Sequence, residues 1–188
     1  RLGLATPGHV RALREVDDSE VAIAPIFAQQ SVRENARTGR TPQQVLDDAM
    51  WGLFSEGWRS PWGADADHLK TVDDVEAFAR SGYTFYTIAP GDAVNDRAGE
   101  LSDAELEMTV HGLPWAALED SPGDLERRYL GTSLDLGAGS LTVQREELWR
   151  AAAKYGTAVA HTAVMYRHIL ERVGEGRFDL EVSVDETA

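Results

Sequence analysis

The six residues Asp65-Ala66-Asp67-His68-Leu69-Lys70 bring two carboxylates, an imidazole and an ammonium group into one short stretch. The alternation of alanine with aspartate predicts a β-strand. Its small residues suit close helix packing on one face, Asp65 and Asp67 point to the other, and His68 sits at the rim. An imidazole beside carboxylates suits a divalent ion such as zinc, manganese or nickel. The alternative has Asp67 capping a turn and His68 on the surface. A second cluster, Glu181-Val182-Ser183-Val184-Asp185-Glu186, repeats the alternation. Its valines belong on a helix-facing side, so Glu181, Ser183 and Asp185 share the opposite face. Three polar side chains in such a column are costly unless they meet a ligand or join one another in a buried network. Two more expected strand ends, Gln29-Gln30-Ser31 and Pro90-Gly91-Asp92, are also polar. Gln29, Gln30 and Arg33 suit the hydroxyl and carboxylate groups of a polyol acid. His9, in Thr6-Pro7-Gly8-His9, is expected in a Gly/Pro turn from which it could line the same site. His161 and His168 share a helix face and read as surface histidines. His111 looks incidental, and the five tryptophans are expected in packing roles.

These groups need strands to carry them. Val21 to Gln30 is a nearly continuous apolar run, as in parallel strands buried on both faces. A polar loop with Arg33, Asn35 and Gly39 follows. Thr41, Pro42 and Gln44 then form a capping box that starts a helix with Val45, Leu46, Ala49, Met50 and Leu53 on its buried stripe, ended by Gly57. The strand Ala64 to Leu69 leads to a helix capped by Thr71 and Asp74 and stopped at Gly82. Tyr83 to Ala89 is the third strand. From Asp92 to Gly176 the chain is too long for one crossover. It holds a helix started by Ser102 and Glu105, a short one started at Ser121-Pro122, a loop at Gly137 to Gly139, and a long helix from Thr142 to Val173. Gly156 is expected to kink that helix, whose stripe includes Leu148, Trp149, Ala152, Tyr155, Val159, Thr162, Tyr166, Ile169 and Val173. Phe178 to Asp185 is the fourth strand.

Strands alternating with helices, with polar residues at the strands' carboxyl ends, predict an α/β enzyme whose ligand site lies beyond those ends. Four strands with crossovers make about half of an eight-stranded TIM barrel, with a helical insertion over residues 92–176. An open doubly wound sheet is the alternative, although no Rossmann or P-loop glycine fingerprint follows a strand. The whole of 1–188 is then the amino-terminal and middle portion of one catalytic barrel domain. A last strand that stops at Asp185-Glu186-Thr187-Ala188 and a start without methionine are read as a segment of a longer protein. The absence of cysteine excludes disulfides, thiolate nucleophiles and zinc–thiolate sites and suits a reducing, cytoplasmic setting. A formal charge of −14 makes nucleic acid and anionic lipid poor partners. No apolar run approaches the roughly 18 residues of a membrane span. The expected partner is a small molecule, and a homo-oligomer is compatible with this composition.

Several segments together resemble the tagaturonate epimerase family. They are Leu2-Gly3-Leu4-Ala5-Thr6-Pro7-Gly8-His9, Phe27-Ala28-Gln29-Gln30-Ser31-Val32-Arg33-Glu34-Asn35, Gly63-Ala64-Asp65-Ala66-Asp67-His68-Leu69-Lys70-Thr71 and Gly82-Tyr83-Thr84-Phe85-Tyr86-Thr87-Ile88. The resemblance spans nearly the whole chain, and Asp-Ala-Asp-His-Leu-Lys is its most specific piece. It implies a metal-dependent TIM-barrel isomerase that interconverts tagaturonate and fructuronate in hexuronate breakdown, with relatives acting on ketohexoses. The inverted carbon lies two bonds from the keto carbon, so its hydrogen is not acidified and simple proton abstraction fails. A retro-aldol route remains. A base takes the hydroxyl proton, the carbon–carbon bond breaks, a Lewis-acidic ion stabilises the enediolate, and the aldehyde turns over and re-adds. On this reading His68 and Asp185 bind the metal, and Glu181, Glu186 or Asp67 performs proton transfer. Gln29, Gln30, Arg33, Lys70 and His9 hold the substrate. A metal-dependent aldolase or sugar isomerase would use the same residues. A non-catalytic sugar-acid binding module would not need the ion.

Overall fold

A computed structural model describes residues 5–16 and 23–184. The chain divides into two compact units, one formed by residues up to 89 with 167–183 and the other centred on Pro90–Tyr166.

The first unit is a parallel sheet with a helix layer. In chain order it contains α1 (Thr6–Val16), β1 (Ile26–Gln29), α2 (Val32–Thr38), α3 (Pro42–Ser55), β2 (Gly63–Leu69), α4 (Val72–Ser81) and β3 (Phe85–Ile88). The strands stand in the order β1-β2-β3, followed by a later strand at Asp179–Val182, and every pair is parallel. The expected capping boxes at Thr41/Gln44 and Thr71/Asp74 are both formed, and Gly82 takes the left-handed conformation at φ 87° that ends α4. Ala64, Ala66, Tyr86 and Ile88 are buried along the sheet, and Val45, Ala49, Leu53, Val75 and Phe78 are the buried residues of α3 and α4. The Phe78 and Tyr83 rings meet edge to face, and the Tyr83 hydroxyl donates to the Pro42 carbonyl at 3.0 Å.

Three expectations change in this unit. The first strand covers only Ile26–Gln29: residues 23–25 are not in strand, and Val21 lies outside the described residues. Pro25 has no N–H for a ladder and offers only its carbonyl, to the Gly63 amide. The polar loop after it is the helix α2, opened by a Ser31/Glu34 capping box. The Gly/Pro turn holding His9 is the first part of α1, where Pro7 sits near the helix start and its missing N–H costs nothing.

The second unit contains α5 (Asp103–His111), α6 (Trp115–Leu118), α7 (Pro122–Tyr129), a two-stranded hairpin β4 (Ser133–Asp135) and β5 (Ser140–Thr142), and most of α8 (Arg145–Val173). β6 (Asp179–Val182) follows α8 and returns to the first sheet. The core of the second unit is Ala98, Leu106, Val110, Trp149 and Ala153. The long helix starts three residues later than expected because Thr142 pairs with Ser133 across the hairpin. Gly156 interrupts nothing. It permits contact, since a Cβ there would meet Leu113 Cδ1 at 2.6 Å. Tyr155, Val159 and Tyr166, expected on the buried stripe, are 40%, 55% and 42% exposed, and alanines at 153, 158 and 160 are buried instead.

Candidate active site

The carboxyl-terminal halves of the parallel strands in the first unit carry the candidate chemistry. Register pairs Gln29 with Asp65, and Thr87 with Glu181, so alternation brings Gln29, Asp65, Asp67, Thr87 and Glu181 to one face across four strands. The sequence reading of β2 holds in its main point: the alanines are buried on one side and the aspartates share the other.

His68 departs from simple alternation. Its φ is 57°, in the left-handed region, and the pairing of β2 with β3 slips between Ala66 and Leu69. This bulge re-aims the imidazole. Its Nδ1 lies 2.6 Å from Asp67 Oδ1, a contact that neighbours pointing to opposite faces of a strand could not make. The other oxygen, Asp67 Oδ2, accepts from Gln29 Nε2 at 3.0 Å. Asp67 is buried, and the side chain of His68 is 29% exposed.

Asp65 is the electrostatically stressed member of the site. It is 7% exposed and accepts one hydrogen bond, from Thr87 Oγ1 at 3.1 Å. Burial pushes its carboxyl up to about 6, and the nearby charges of Asp67 and Glu181 push the same way against the Thr87 hydrogen bond and His68. Glu181 is exposed at the strand edge, so the two acids occupy opposite environments on one face. The sequence reading placed Asp65 on this face but assigned it no role. The missed signal was Thr87, a hydroxyl on the adjacent strand β3 that alternation could have aligned with it.

Other expected site residues are dispersed. Gln30 is turned away from Gln29 by alternation and is 2% exposed. Its Nε2 donates to Thr38 Oγ1, and its Oε1 accepts from Arg40 Nη1, which fastens the turn between α2 and α3. Its expected substrate contact gives way to this anchoring role, since both ends of the amide are engaged. Arg33 is exposed on α2, and Lys70 is exposed just beyond β2. His9 is exposed on α1 and lines a cavity of about 160 Å³ together with Thr6, Phe27, Gln29, Val45 and Ala49. Ser183 is half-buried, and its amide donates to the Ile88 carbonyl. Val182 and Val184, expected to face helices, are each 45% exposed because β6 is the sheet edge. Asp185 and Glu186 lie outside the described residues. His168 Nε2 lies 2.9 Å from Glu76 Oε1, a tie between α8 and α4. His111 stacks edge-on against Trp149. Asn35 was not expected to matter, yet both polar atoms of its amide are buried without a hydrogen-bond partner among the described residues.

The whole chain, residues 1–188, matches the family model for tagaturonate epimerase. It is 41% identical over 187 residues to the tagaturonate/fructuronate epimerase of Thermotoga maritima, covering all of this chain and 36% of that protein. The chain belongs to the tagaturonate epimerase family. Crystal structures of fructuronate-tagaturonate epimerase from Cohnella laeviribosi agree, at 32% identity over 99% of this chain and 36% of theirs. The TM-score is 0.81 for the native form and 0.83 for a form with two glycerols. The chain therefore spans about a third of the length of these epimerases. No helix among the described residues is long and apolar enough to cross a membrane. Among the described residues, no group of three or more His, Asp or Glu side chains is arranged to hold a metal ion.

Proposed function

We propose that this chain supplies part of the active site of an epimerase that interconverts tagaturonate and fructuronate, or the related ketohexoses, by retro-aldol cleavage and re-addition. The observation that carries the reading is the single face on which Gln29, Asp65, Asp67, Thr87 and Glu181 lie at the carboxyl ends of parallel strands, with His68 swung toward Asp67. The unbroken order β1-β2-β3-β6 supports an arc of a (β/α)8 barrel over a doubly wound sheet, whose order would reverse at its binding crevice. Residues 1–188 then form one stretch of that barrel's catalytic domain, with the second unit as its insertion.

The donor set fits a divalent ion such as zinc, manganese or nickel in kind. Asp65, raised by burial and then by the charges of Asp67 and Glu181, would be relieved by a cation, and His68 offers an imidazole nitrogen. His68 would hold such an ion together with Asp185. When bound, the ion would supply Lewis-acid stabilisation of charge developing on a substrate oxygen. The chain's own acids divide the proton work. Glu181, exposed at the strand edge, accepts the hydroxyl proton that starts bond cleavage, with Glu186 as the alternative base. Asp65, poised near pH 6, can keep a proton for the enediolate or the aldehyde oxygen. Arg33 and Lys70, cationic and exposed near the strand ends, suit the substrate carboxylate.

The test is epimerisation of tagaturonate by the full-length protein before and after chelation, with zinc, manganese and nickel restored separately. Turnover abolished by chelation and restored by one ion supports the reading. Undiminished turnover in metal-free protein refutes the metal requirement, and binding of the sugar acid without turnover leaves only a binding module.

A further inference from the structure

We propose that Gln29 and Asp67 form a positioning relay that fixes the ring orientation of His68 and holds it as the Nδ1–H tautomer, with the lone pair on Nε2. The inference deepens the reading of His68 as an imidazole donor and rests on it for its functional meaning, although the relay itself is a matter of geometry.

The two oxygens of Asp67 are divided between two partners. Oδ1 meets His68 Nδ1 at 2.6 Å, and Oδ2 accepts from Gln29 Nε2 at 3.0 Å. The carboxylate accepts from Gln29 on one oxygen and meets the ring on the other, so the imidazole is placed to donate from Nδ1, which leaves the lone pair of the neutral ring on Nε2. Both oxygens of Asp67 are already engaged, one by the imidazole and one by the Gln29 amide. That makes it a poor proton-transfer group and a good orienting one. A carboxylate on a histidine's far nitrogen is also how donor imidazoles are generally oriented and made more basic.

Gln29 completes the device. It comes from the neighbouring strand β1, paired with Asp65, so its side chain reaches Asp67 across the ladder. The amide donates to one oxygen and fixes the plane of the carboxylate, which aims the other at His68. An amide suits this place better than a cation would. Lysine or arginine would neutralise the charge that holds the imidazole N–H, whereas glutamine leaves it intact. The left-handed backbone at His68, φ 57°, belongs to the same device, because it brings adjacent side chains within hydrogen-bond distance. Gln29 and Asp67 are therefore positioning residues.

The test uses the purified full-length protein, metal-free, at pH 8, with the His68 tautomer read from long-range proton–nitrogen correlations. Wild type should show a protonated Nδ1 and a pyridine-type Nε2. Asp67→Ala should revert the ring to the Nε2–H form that free imidazole side chains prefer. Gln29→Leu, which keeps the carboxylate, should broaden or mix the two forms. Zinc titration alone should then show affinity lowered about 10- to 100-fold in Asp67→Ala and less in Gln29→Leu. A wild-type ring protonated on Nε2 overturns the relay without any variant. A Gln29→Leu ring identical to wild type removes Gln29 from it. If His68→Ala binds zinc as tightly as wild type while the tautomer results hold, the relay stands and the metal-donor reading fails.

Discussion

Replacing Asp65 by Asn should stabilise the protein at neutral pH and do little at low pH. The carboxyl titrates near 3.8 in an unfolded chain and near 6 in the fold, mainly because it is buried and secondarily because Asp67 and Glu181 share its face. Between those values the folded protein keeps a proton that the unfolded chain releases. Stability therefore falls as pH rises from about 4 to 6 and stays low above that range. A difference of about two units corresponds to ~3 kcal/mol. Local relaxation and partial screening bring the expected effect down to about 1–2 kcal/mol. Asn preserves an acceptor for Thr87 Oγ1, removes the ionisation and puts an NH2 donor in place of the second oxygen. With a urea slope of about 2 kcal/mol/M, the midpoint of Asp65→Asn should rise by about 0.5–1 M at pH 7.5. The gap should close to within error at pH 4, where both side chains are neutral. Circular dichroism with urea at the two pH values, chelator present throughout, measures both points. A variant less stable than wild type at pH 7.5 would show that the Asp65 carboxylate is a well-satisfied structural group. A gap equally wide at pH 4 would show that the gain has nothing to do with charge. Since selection tolerates a destabilising carboxylate chiefly where function needs it, the same variant should lose turnover in the full-length enzyme.

Glu181→Gln should retain bound metal and lose about 10²-fold or more in turnover, because an amide keeps the shape but cannot take a proton. Normal turnover would move the base to Glu186 or elsewhere. Asn35→Leu should be neutral or stabilising by about 1–3 kcal/mol in urea melts, since it removes two unpartnered buried polar atoms. A clear loss of stability would reveal a buried water or ligand on that amide. Gly156→Ala should destabilise by about 1–3 kcal/mol in the same melts despite the better helix propensity of Ala. The new Cβ meets Leu113 Cδ1 at 2.6 Å, so the same change should cost less when made in a Leu113→Ala background, and a stabilised single variant would refute the close-packing account.

Local chemistry was legible in the sequence where one residue type does one job. The capping boxes at Thr41, Thr71 and Ser102 were each foreseen from their own four residues and are each formed. The box at Ser31/Glu34 carries the same signature, but α2 has a single buried residue, Asn35, and no apolar stripe to announce a helix. α1 was hidden similarly: Pro7 and Gly8 suggest a turn, and only Thr6 and Val10 of the helix are buried. The hairpin at 133–142 was missed because its strands have three residues each and bury none of them. On α8 a stripe counted at helical spacing chose Tyr155, Val159 and Tyr166, whereas the buried positions include small alanines that admit close neighbours. For the site, strand parity correctly put Asp65, Asp67 and Glu181 on one face. The same parity separates Gln29 from Gln30, but the Thr38 and Arg40 contacts that engage Gln30 belong to the α2–α3 turn, which the strand pattern does not announce.

The adjacent pair Asp67 and His68 shows why local irregularity marks the site. Regular alternation would send the imidazole to the side where Ala64, Ala66 and Tyr86 are packed, into a layer with no room for it. The chain instead accepts a left-handed residue and a slipped register, at a cost of about 1–2 kcal/mol for a residue with a Cβ. Nothing in the packing of the sheet requires that distortion, and glycine would make it more cheaply. What histidine adds over glycine is the imidazole held against Asp67. The strain is therefore explained by the side chain it positions, which joins the bulge, the Gln29 amide and the stressed Asp65 carboxylate into one functional arrangement.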